Sequence, residues 1–166
     1  MNALNLADFL PKPLSERVLA QYRLPLDGIH GLRHWIRVWH NGEELARSTG
    51  ARLEVVRLFS FLHDSCRHDE GIDLLHGVRA ARFIFRVLQP EILRLPEEDM
   101  RLLMFAVQRH TFGGTRADAT VMTCWDADRL DLGRVNIMPD AKYLCTSAAK
   151  DPEIISRAYR NSIALG

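Results

Sequence analysis

The most apolar stretch of the chain, residues 58–62 (LFSFL), runs directly into the pair His63-Asp64. When residues 53–64 are wound as a helix, apolar side chains lie on nearly all sides, which predicts a central, buried helix. A histidine and an aspartate at the end of such a helix lose their hydration unless another group binds them. The stretch therefore predicts a helical core that delivers two polar side chains to a buried site.

Helical apolar patterns separated by short breaks continue along the rest of the chain. Pro96 before three acidic residues and the pair Asp151-Pro152 are typical of helix starts, because proline fits the first turn and acids face the positive end of the helix dipole. No stretch shows the sustained alternation expected of a strand. We predict an all-α fold, one helical bundle over residues 1–166. Its predicted helices cover about residues 14–22, 31–46, 53–64, 74–88 (ended by Gln89-Pro90), 96–110, 120–132, 140–149 and 151–163.

Length and composition exclude several classes of protein. With 166 residues, 47% of them hydrophobic, and a net charge of +1, the chain has the size and balance of one soluble domain and no electrostatic basis for binding nucleic acid or an anionic membrane. No apolar run approaches the roughly 18 residues of a membrane span, and the N-terminus does not resemble a signal peptide. Three cysteines without CxxC spacing predict reduced thiols and a cytoplasmic location.

Two more polar residues stand in apolar helical surroundings on either side of the His-Asp pair. His34 lies upstream and Asp128 lies downstream, in the segment DADRLD. Imidazole and carboxylate groups are common ligands of divalent metals. His63 and Asp64 diverge by about 100° on a helix, so that a cation above the edge between them is within reach of both. The pattern predicts a metal site assembled from several helices.

This order of residues resembles the HD-domain superfamily of metal-dependent phosphohydrolases. His34 in HWIRV is similar to the first family histidine, and His63-Asp64 in FSFLHDSCR is similar to the central motif. Asp128 matches the final family aspartate better than Asp126 does. The resemblance covers roughly residues 29–135. It implies an HD-type helical bundle in which these residues bind a divalent metal, and in which Asp64 is catalytic.

Two histidines in the interval between the His-Asp pair and the final aspartate, His76 and His110, extend this resemblance. Family members with two metals carry additional histidines there. The implied arrangement is one ion at His34, His63 and Asp128, a second at His76 and His110, and Asp64 bridging the two. The number of ions, one or two, and their identity among Mn, Fe, Mg, Ni and Zn stay open. The alternative for His76 and His110 is an ordinary position at a helix end.

Three residues are candidates for contact with the substrate. Arg67 follows Asp64 by three positions, where many family members carry a lysine that faces a phosphate. Arginine offers a bidentate fork for the same purpose, so the resemblance implies a catalytic and substrate-binding role for Arg67. Arg79 is a second candidate for an anionic substrate, and a solvated surface position is the alternative for both arginines. Asp131 resembles a residue near family active sites that either orients a ligand or contacts substrate.

The resemblance implies a metal-dependent phosphohydrolase that acts on a small phosphate ester or nucleotide through a metal-activated water. One alternative is an HD-type di-iron oxygenase, because the chain also offers that ligand order of His, His-Asp, His, His and Asp. A second alternative is a catalytically inactive module that binds a nucleotide, although a complete ligand set disfavours it. No glycine-rich phosphate loop or Walker motif is present. Substrate identity and oligomeric state stay open.

Overall fold

The computed structural model describes residues 5–89 and 92–164, and within these ranges every regular element is helical. The all-α prediction is confirmed for this part of the chain. Shorter helical turns cover Leu6–Asp8, Leu132–Val135 and Ala141–Tyr143. The longer helices are α1 (Lys12–Gln21), α2 (Leu32–Thr49), α3 (Leu53–Leu62), α4 (His76–Phe83), α5 (Glu97–Arg109), α6 (Ala119–Arg129) and α7 (Pro152–Ala164).

Helix α3 is the centre of the bundle, as its all-round apolar pattern predicts. Seven of its ten residues are buried, and it contacts α2, α5 and α6. Helix α2 also packs along α6, and α4 packs along α5. Gly42 allows α2 to approach α3 closely, because a Cβ atom at this position would lie only 2.5 Å from Cγ1 of Val56. The C-terminal end of α3 lies inside the bundle, where His63 and Asp64 are both buried.

The main core surrounds α3 with large apolar side chains, including Trp35, Phe59 and Leu103, each of them fully buried. A smaller apolar cluster attaches α7 to the bundle and comprises Leu45, Leu130, Leu144, Ala149 and Ala158. Within residues 5–89 and 92–164, no helix is both long and apolar enough to cross a membrane. The three cysteines are all free thiols.

The predicted helix over residues 140–149 is wrong. The structure has only the short turn Ala141–Tyr143 there, followed by irregular backbone. The backbone N–H groups of Cys145 and Thr146 donate to the carboxylate of Asp126, at 2.7 and 2.8 Å. Because these two amides are taken by a side chain of another helix, they are not available for the hydrogen bonds that would continue a helix.

The other helix boundaries agree with the sequence to within a few residues, with one change of type. The predicted helix over 74–88 begins at His76 and changes to a π-helical turn over Ile84–Leu88; Pro90, its predicted end, lies outside the described residues. Helix α7 begins as predicted, since Pro152 is its first residue and Asp151 accepts a hydrogen bond from N–H of Glu153 at 2.8 Å.

Candidate metal centre

All six predicted metal ligands meet in one buried cluster between α2, α3, α4, α5 and α6. The cluster contains three overlapping groups of residues. Within each group, the donor atoms all lie within 4.8 Å of one another. The members are His34, His63 and Asp64 in the first group, His63, His110 and Asp128 in the second, and Asp64, His76 and His110 in the third. Residues almost a hundred positions apart thus form one site, which we call the His-Asp cluster.

One half of the cluster is built around the end of α3. Nε2 of His34 lies 3.1 Å from Nε2 of His63 and 3.6 Å from Oδ2 of Asp64. Oδ1 of Asp128 closes this half, at 3.5 Å from Nε2 of His34 and 3.8 Å from Nε2 of His63. Two imidazole nitrogens and two carboxylate oxygens therefore surround a single point.

The other half lies between α4 and α5 and uses the second oxygen of the same aspartate. Oδ1 of Asp64 is 3.1 Å from Nε2 of His76 and 3.7 Å from Nε2 of His110, and these two nitrogens are 2.6 Å apart. Gly77 makes this approach of the helices feasible, because a Cβ atom there would lie 2.6 Å from the carbonyl oxygen of Val107. Asp64 thus faces both halves, one oxygen to each.

The hydrogen bonds of the imidazole rings decide which nitrogen carries the proton when a ring is neutral. Nδ1 of His63 donates to the carbonyl oxygen of Phe59 at 3.1 Å, and Nδ1 of His110 donates to that of Val107 at 2.8 Å. Nδ1 of His76 donates to the carbonyl oxygen of Asp73. Carbonyl oxygens only accept, so each neutral ring carries its proton on Nδ1 and presents a lone pair at Nε2.

Asp131 accepts the Nδ1 proton of the fourth imidazole ring, that of His34. Its Oδ2 accepts from Nδ1 of His34 at 2.7 Å, and Arg37 holds the carboxylate with Nε at 2.6 Å and Nη2 at 3.1 Å. Only 1% of Asp131 is exposed, which leaves it behind His34 rather than in a position to meet a substrate. Of the two roles that the sequence left open, the geometry favours orientation of a ligand.

The two aspartates of the cluster have buried oxygens without hydrogen-bond donors. Oδ1 of Asp64 and Oδ1 of Asp128 are both inaccessible to solvent and make no hydrogen bond. A buried, ionised carboxylate oxygen is costly unless a charge compensates it. The donor set of imidazole nitrogens and carboxylate oxygens, all pointing inward, fits a divalent transition metal, which supplies that charge.

Burial and neighbouring charges set the ionisation of the histidines. Burial is the largest effect, and it holds the pKa of His34 well below its usual value and lowers the pKa of His63 to about 4. Both rings are therefore neutral at pH 7, which is the form that binds a metal. At His110 burial acts in the same direction, but the approach of Asp64 outweighs it and raises the pKa.

The aspartates are ionised. Burial acts to raise the pKa of Asp64, yet the adjacent His63 and the second pair of histidines outweigh burial and hold this pKa well below its usual value. At Asp128, burial is likewise overcome by His63 and by Arg134, and the pKa falls to about 2. Ionised carboxylates facing neutral imidazole nitrogens form a pocket of negative potential for a cation.

Arg67 reaches the edge of the second half. Its Nη1 lies 3.6 Å from Oδ1 of Asp64 and 3.4 Å from Nε2 of His76. The rest of the guanidinium is held by the backbone, since Nε donates to the carbonyl oxygen of Asp69 at 3.2 Å and Nη2 to that of Gly71 at 2.7 Å. Arg67 is only 7% exposed, so the solvated-loop alternative does not describe it.

Arg79 is not brought to the cluster in the same way. Its guanidinium binds the carboxylate of Asp73 and donates through Nε to the carbonyl oxygen of Cys66 at 3.1 Å. Both partners belong to the loop between α3 and α4, and Asp73 also receives the N–H of His68 at 2.9 Å. Arg79 thus braces the loop that carries Arg67, and the geometry gives it a structural role.

Asp126 and Asp128 occupy different surroundings, although only one residue separates them. Asp126 is fully buried, and its carboxylate accepts from the backbone N–H groups of Cys145 and Thr146 and from the Thr146 hydroxyl, the last at 2.7 Å. It contributes no atom to the cluster. The geometry therefore agrees with the choice of Asp128 as the candidate ligand.

Three further residues lie near the cluster, none of them a predicted metal ligand or substrate contact. Arg37 holds Asp131, and its position one helical turn after His34 is a signal that the sequence offered. His30 pairs with Glu70, with Nδ1 2.6 Å from Oε2, across two loops beside the cluster. Arg134 lies 3.6 Å from Oδ1 of Asp128, and no periodic spacing in the sequence indicated this.

An open groove of about 640 Å³ lies elsewhere in the molecule, and none of the cluster residues lines it. Its walls include Thr49, Met122, Cys145, Thr146 and Ile154. The side chains of this groove offer no convergent set of charged groups, so the candidate chemistry stays with the His-Asp cluster.

Comparisons of the chain with family models, with curated proteins and with solved structures found no match. The geometry of the His-Asp cluster and the residue pattern that predicts it are therefore the basis for a function.

Proposed function

We propose that this chain is a metal-dependent phosphohydrolase of the HD type, which hydrolyses a small phosphate ester or nucleotide through a metal-activated water. One observation carries the proposal: four imidazole Nε2 lone pairs converge on two ionised aspartates, with no hydrogen-bond donor for the buried Oδ1 of either aspartate. Such a set of donors is stabilised by a cation at its centre. The order of the ligands along the chain supports the HD type.

Each residue of the cluster has a part in the proposed reaction. His34, His63, Asp64 and Asp128 would hold the first ion, while His76 and His110 would hold a second together with Asp64. A bound divalent ion supplies an activated water and polarises a phosphoryl oxygen. Asp131 keeps Nε2 of His34 free for binding, because it accepts the proton of Nδ1.

Arg67 is the proposed contact to the phosphoryl group. Its Nη1 faces the cluster beside Asp64, while backbone carbonyl oxygens fix the opposite side of the guanidinium. A cation that is already positioned in this way stabilises charge on the phosphoryl oxygens without reorganisation during the reaction.

A di-iron oxygenase is the second candidate, and the sharing of Asp64 between two halves of the cluster favours it. Oδ2 faces the first pair of histidines and Oδ1 faces the second pair, an arrangement suited to two neighbouring ions. Two-metal sites serve both hydrolysis and oxygen chemistry, so the ligand geometry is shared by the two candidates.

The test is metal analysis followed by a substrate panel. Protein purified without chelator and without a metal-affinity column is analysed for bound metal and then assayed with phosphate monoesters, diesters and nucleotides, with added divalent metals and with chelator. We expect hydrolysis that requires metal and that is lost in Asp64→Asn. The matched control is Asp140→Asn, an aspartate that is 48% exposed and pairs with Lys142.

The proposal is contradicted if metal-replete protein hydrolyses none of these compounds. Consumption of O₂ by protein carrying reduced iron, together with an iron-linked absorption band, would replace the phosphohydrolase with the oxygenase. Hydrolysis that is equal in the Asp64→Asn variant and the wild-type protein would exclude the His-Asp cluster as the active site, whatever the metal content.

A further inference from the structure

Arg134 is a second arginine at the edge of the His-Asp cluster. It lies on the turn Leu132–Val135 that follows α6, and its guanidinium reaches back towards the cluster. Nη2 is 3.6 Å from Oδ1 of Asp128, and Nη1 is 4.0 Å from Oδ2 of Asp131. Only 10% of the side chain is exposed. Burial of an arginine at such a site requires partners for its donors.

Most of the hydrogen-bonding capacity of Arg134 is unused. Within the described residues, its guanidinium makes one hydrogen bond, from Nη1 to the carbonyl oxygen of Asp131 at 3.0 Å. Nε is buried and has no partner, although a guanidinium carries five N–H donors. The carboxylate of Asp131 does not need Arg134, because Arg37 already binds both of its oxygens.

The cluster is least buried on the side of Arg134. The side chains of His34 and His63 are fully buried, and Asp64 is 2% exposed, whereas Asp128 is 16% exposed. The least buried ligand of the cluster is therefore the one that Arg134 contacts. The other arginine, Arg67, stands beside Asp64, so two guanidinium groups lie next to the two aspartates that form the cluster.

The charges around the cluster leave room for an anion. Three aspartates (Asp64, Asp128 and Asp131) lie in or against the cluster, and three arginines (Arg37, Arg67 and Arg134) contact them. These six side chains sum to zero net charge, so the site as a whole would be positive with a divalent ion bound. An anion with oxygen acceptors satisfies both this charge and the free N–H donors of Arg134.

We propose that Arg134 is a substrate-binding residue that donates to the oxygens of an anionic group at the metal centre, beside the group that Arg67 contacts. That this anion is a phosphoryl group rests on the proposed function; that Arg134 binds an anion rests on its own unpartnered donors and position. Arg134 then selects anionic substrates over neutral ones.

Calorimetric titration with inorganic phosphate tests this role without turnover. The protein is used with the metal that it retains through purification. Four proteins are compared: wild type, Arg134→Gln, Arg134→Lys, and Arg101→Gln as a control, since Arg101 is an exposed arginine paired with Glu98. We expect Arg134→Gln to weaken phosphate binding by roughly ten- to hundredfold with unchanged metal content. Lysine restores part of the affinity, because it keeps the charge without the fork. Arg101→Gln behaves as wild type.

Phosphate binding of wild-type strength in Arg134→Gln overturns the inference, and so does a wild-type protein that does not bind phosphate. A loss of binding that is matched by a loss of metal also overturns it, because Arg134 would then only position Asp128. If Arg134→Gln does not fold, Arg134→Lys decides, with affinity equal to wild type counting against the proposal. If phosphate binding depends on Arg134 but the wild-type protein hydrolyses no phosphate ester, the proposed function alone is refuted. If the wild-type protein hydrolyses phosphate esters but Arg134→Gln binds phosphate as strongly as wild type, this inference alone is refuted.

Discussion

Substitution of Asp126 and of Asp128 by alanine should have opposite consequences, although the two residues are neighbours on α6. Asp126 holds the segment after the turn Ala141–Tyr143 in place and contributes no donor atom to the His-Asp cluster. Asp128 faces the cluster with a buried oxygen that makes no hydrogen bond. One substitution should therefore reduce stability and keep the metal, and the other should lose the metal and keep stability.

The magnitude for Asp126→Ala follows from its hydrogen bonds. The substitution leaves the N–H groups of Cys145 and Thr146 without an acceptor, and an unsatisfied buried donor costs about 1–3 kcal/mol. Taking about 1.5 kcal/mol for each gives about 3 kcal/mol for the pair. For a chain of 166 residues, this corresponds to a decrease in Tm of roughly 6–12 °C.

Asp128→Ala should leave the Tm of the metal-free protein nearly unchanged. The substitution removes a buried carboxylate oxygen that has no hydrogen-bond donor, and its nearest cation, Arg134, stays 3.6 Å away rather than in hydrogen-bond contact. Unlike Asp126→Ala, this substitution leaves no hydrogen-bond donor without its acceptor, so its cost is the loss of this longer contact alone. Metal binding should fall sharply, because the first half of the cluster loses one of its oxygen ligands.

The assay pairs metal content by elemental analysis with thermal unfolding in chelator, for both variants and the wild-type protein. Metal is measured well below the Tm of Asp126→Ala, so that unfolding does not release it. The reasoning is refuted if Asp126→Ala empties the site while Asp128→Ala retains its metal. It is also refuted if the two variants lose the same stability, since the loop contact would then not be what Asp126 provides.

Three further outcomes are expected. His76→Ala or His110→Ala should lower the metal content from two ions per chain to one; a wild-type content that never exceeds one, with both variants unchanged, would leave a single-metal site. Arg67→Ala should lower kcat/KM roughly ten- to hundredfold, as expected for a charge-assisted contact of about 1.5–3 kcal/mol, and a change below about twofold would count against that contact. The raised pKa of His110 means that a proton competes with the metal below that pKa, so affinity should rise with pH until the pKa is passed. Calorimetry in buffers of different ionisation enthalpy measures the released proton, and its absence between about pH 5 and 8 would contradict this assignment.

The sequence by itself determined the helical class and the centre of the bundle. Residues 53–64 place apolar side chains on nearly all sides of a helix, so this helix had to be surrounded by others, and His63-Asp64 had to end inside. The same reasoning located the starts of α5 and α7, because proline and acidic residues have a local preference for the first turn. Such preferences act between near neighbours in the chain, so they can be predicted without knowledge of tertiary contacts.

Spacing also limited the candidate ligands, but it did not complete their assignment. Residues 126 and 128 are separated by about 200° on a helix, so only one of the two aspartates can face a given neighbour. The resemblance favoured Asp128, and the packing of α6 against α2 and α3 turns Asp128 to the cluster and Asp126 to the segment around Thr146. Helical periodicity defines faces, while packing decides what each face meets.

Tertiary structure alone decided the remaining features of the site. The segment after Asp140 has a helical pattern, yet it is irregular because a carboxylate from α6 takes its amides. Arg134 enters the cluster from a short turn whose direction no sequence period predicts. In both cases the deciding interaction joins residues that are distant in sequence or lie outside regular helices, and its strength depends on burial that only the folded chain creates.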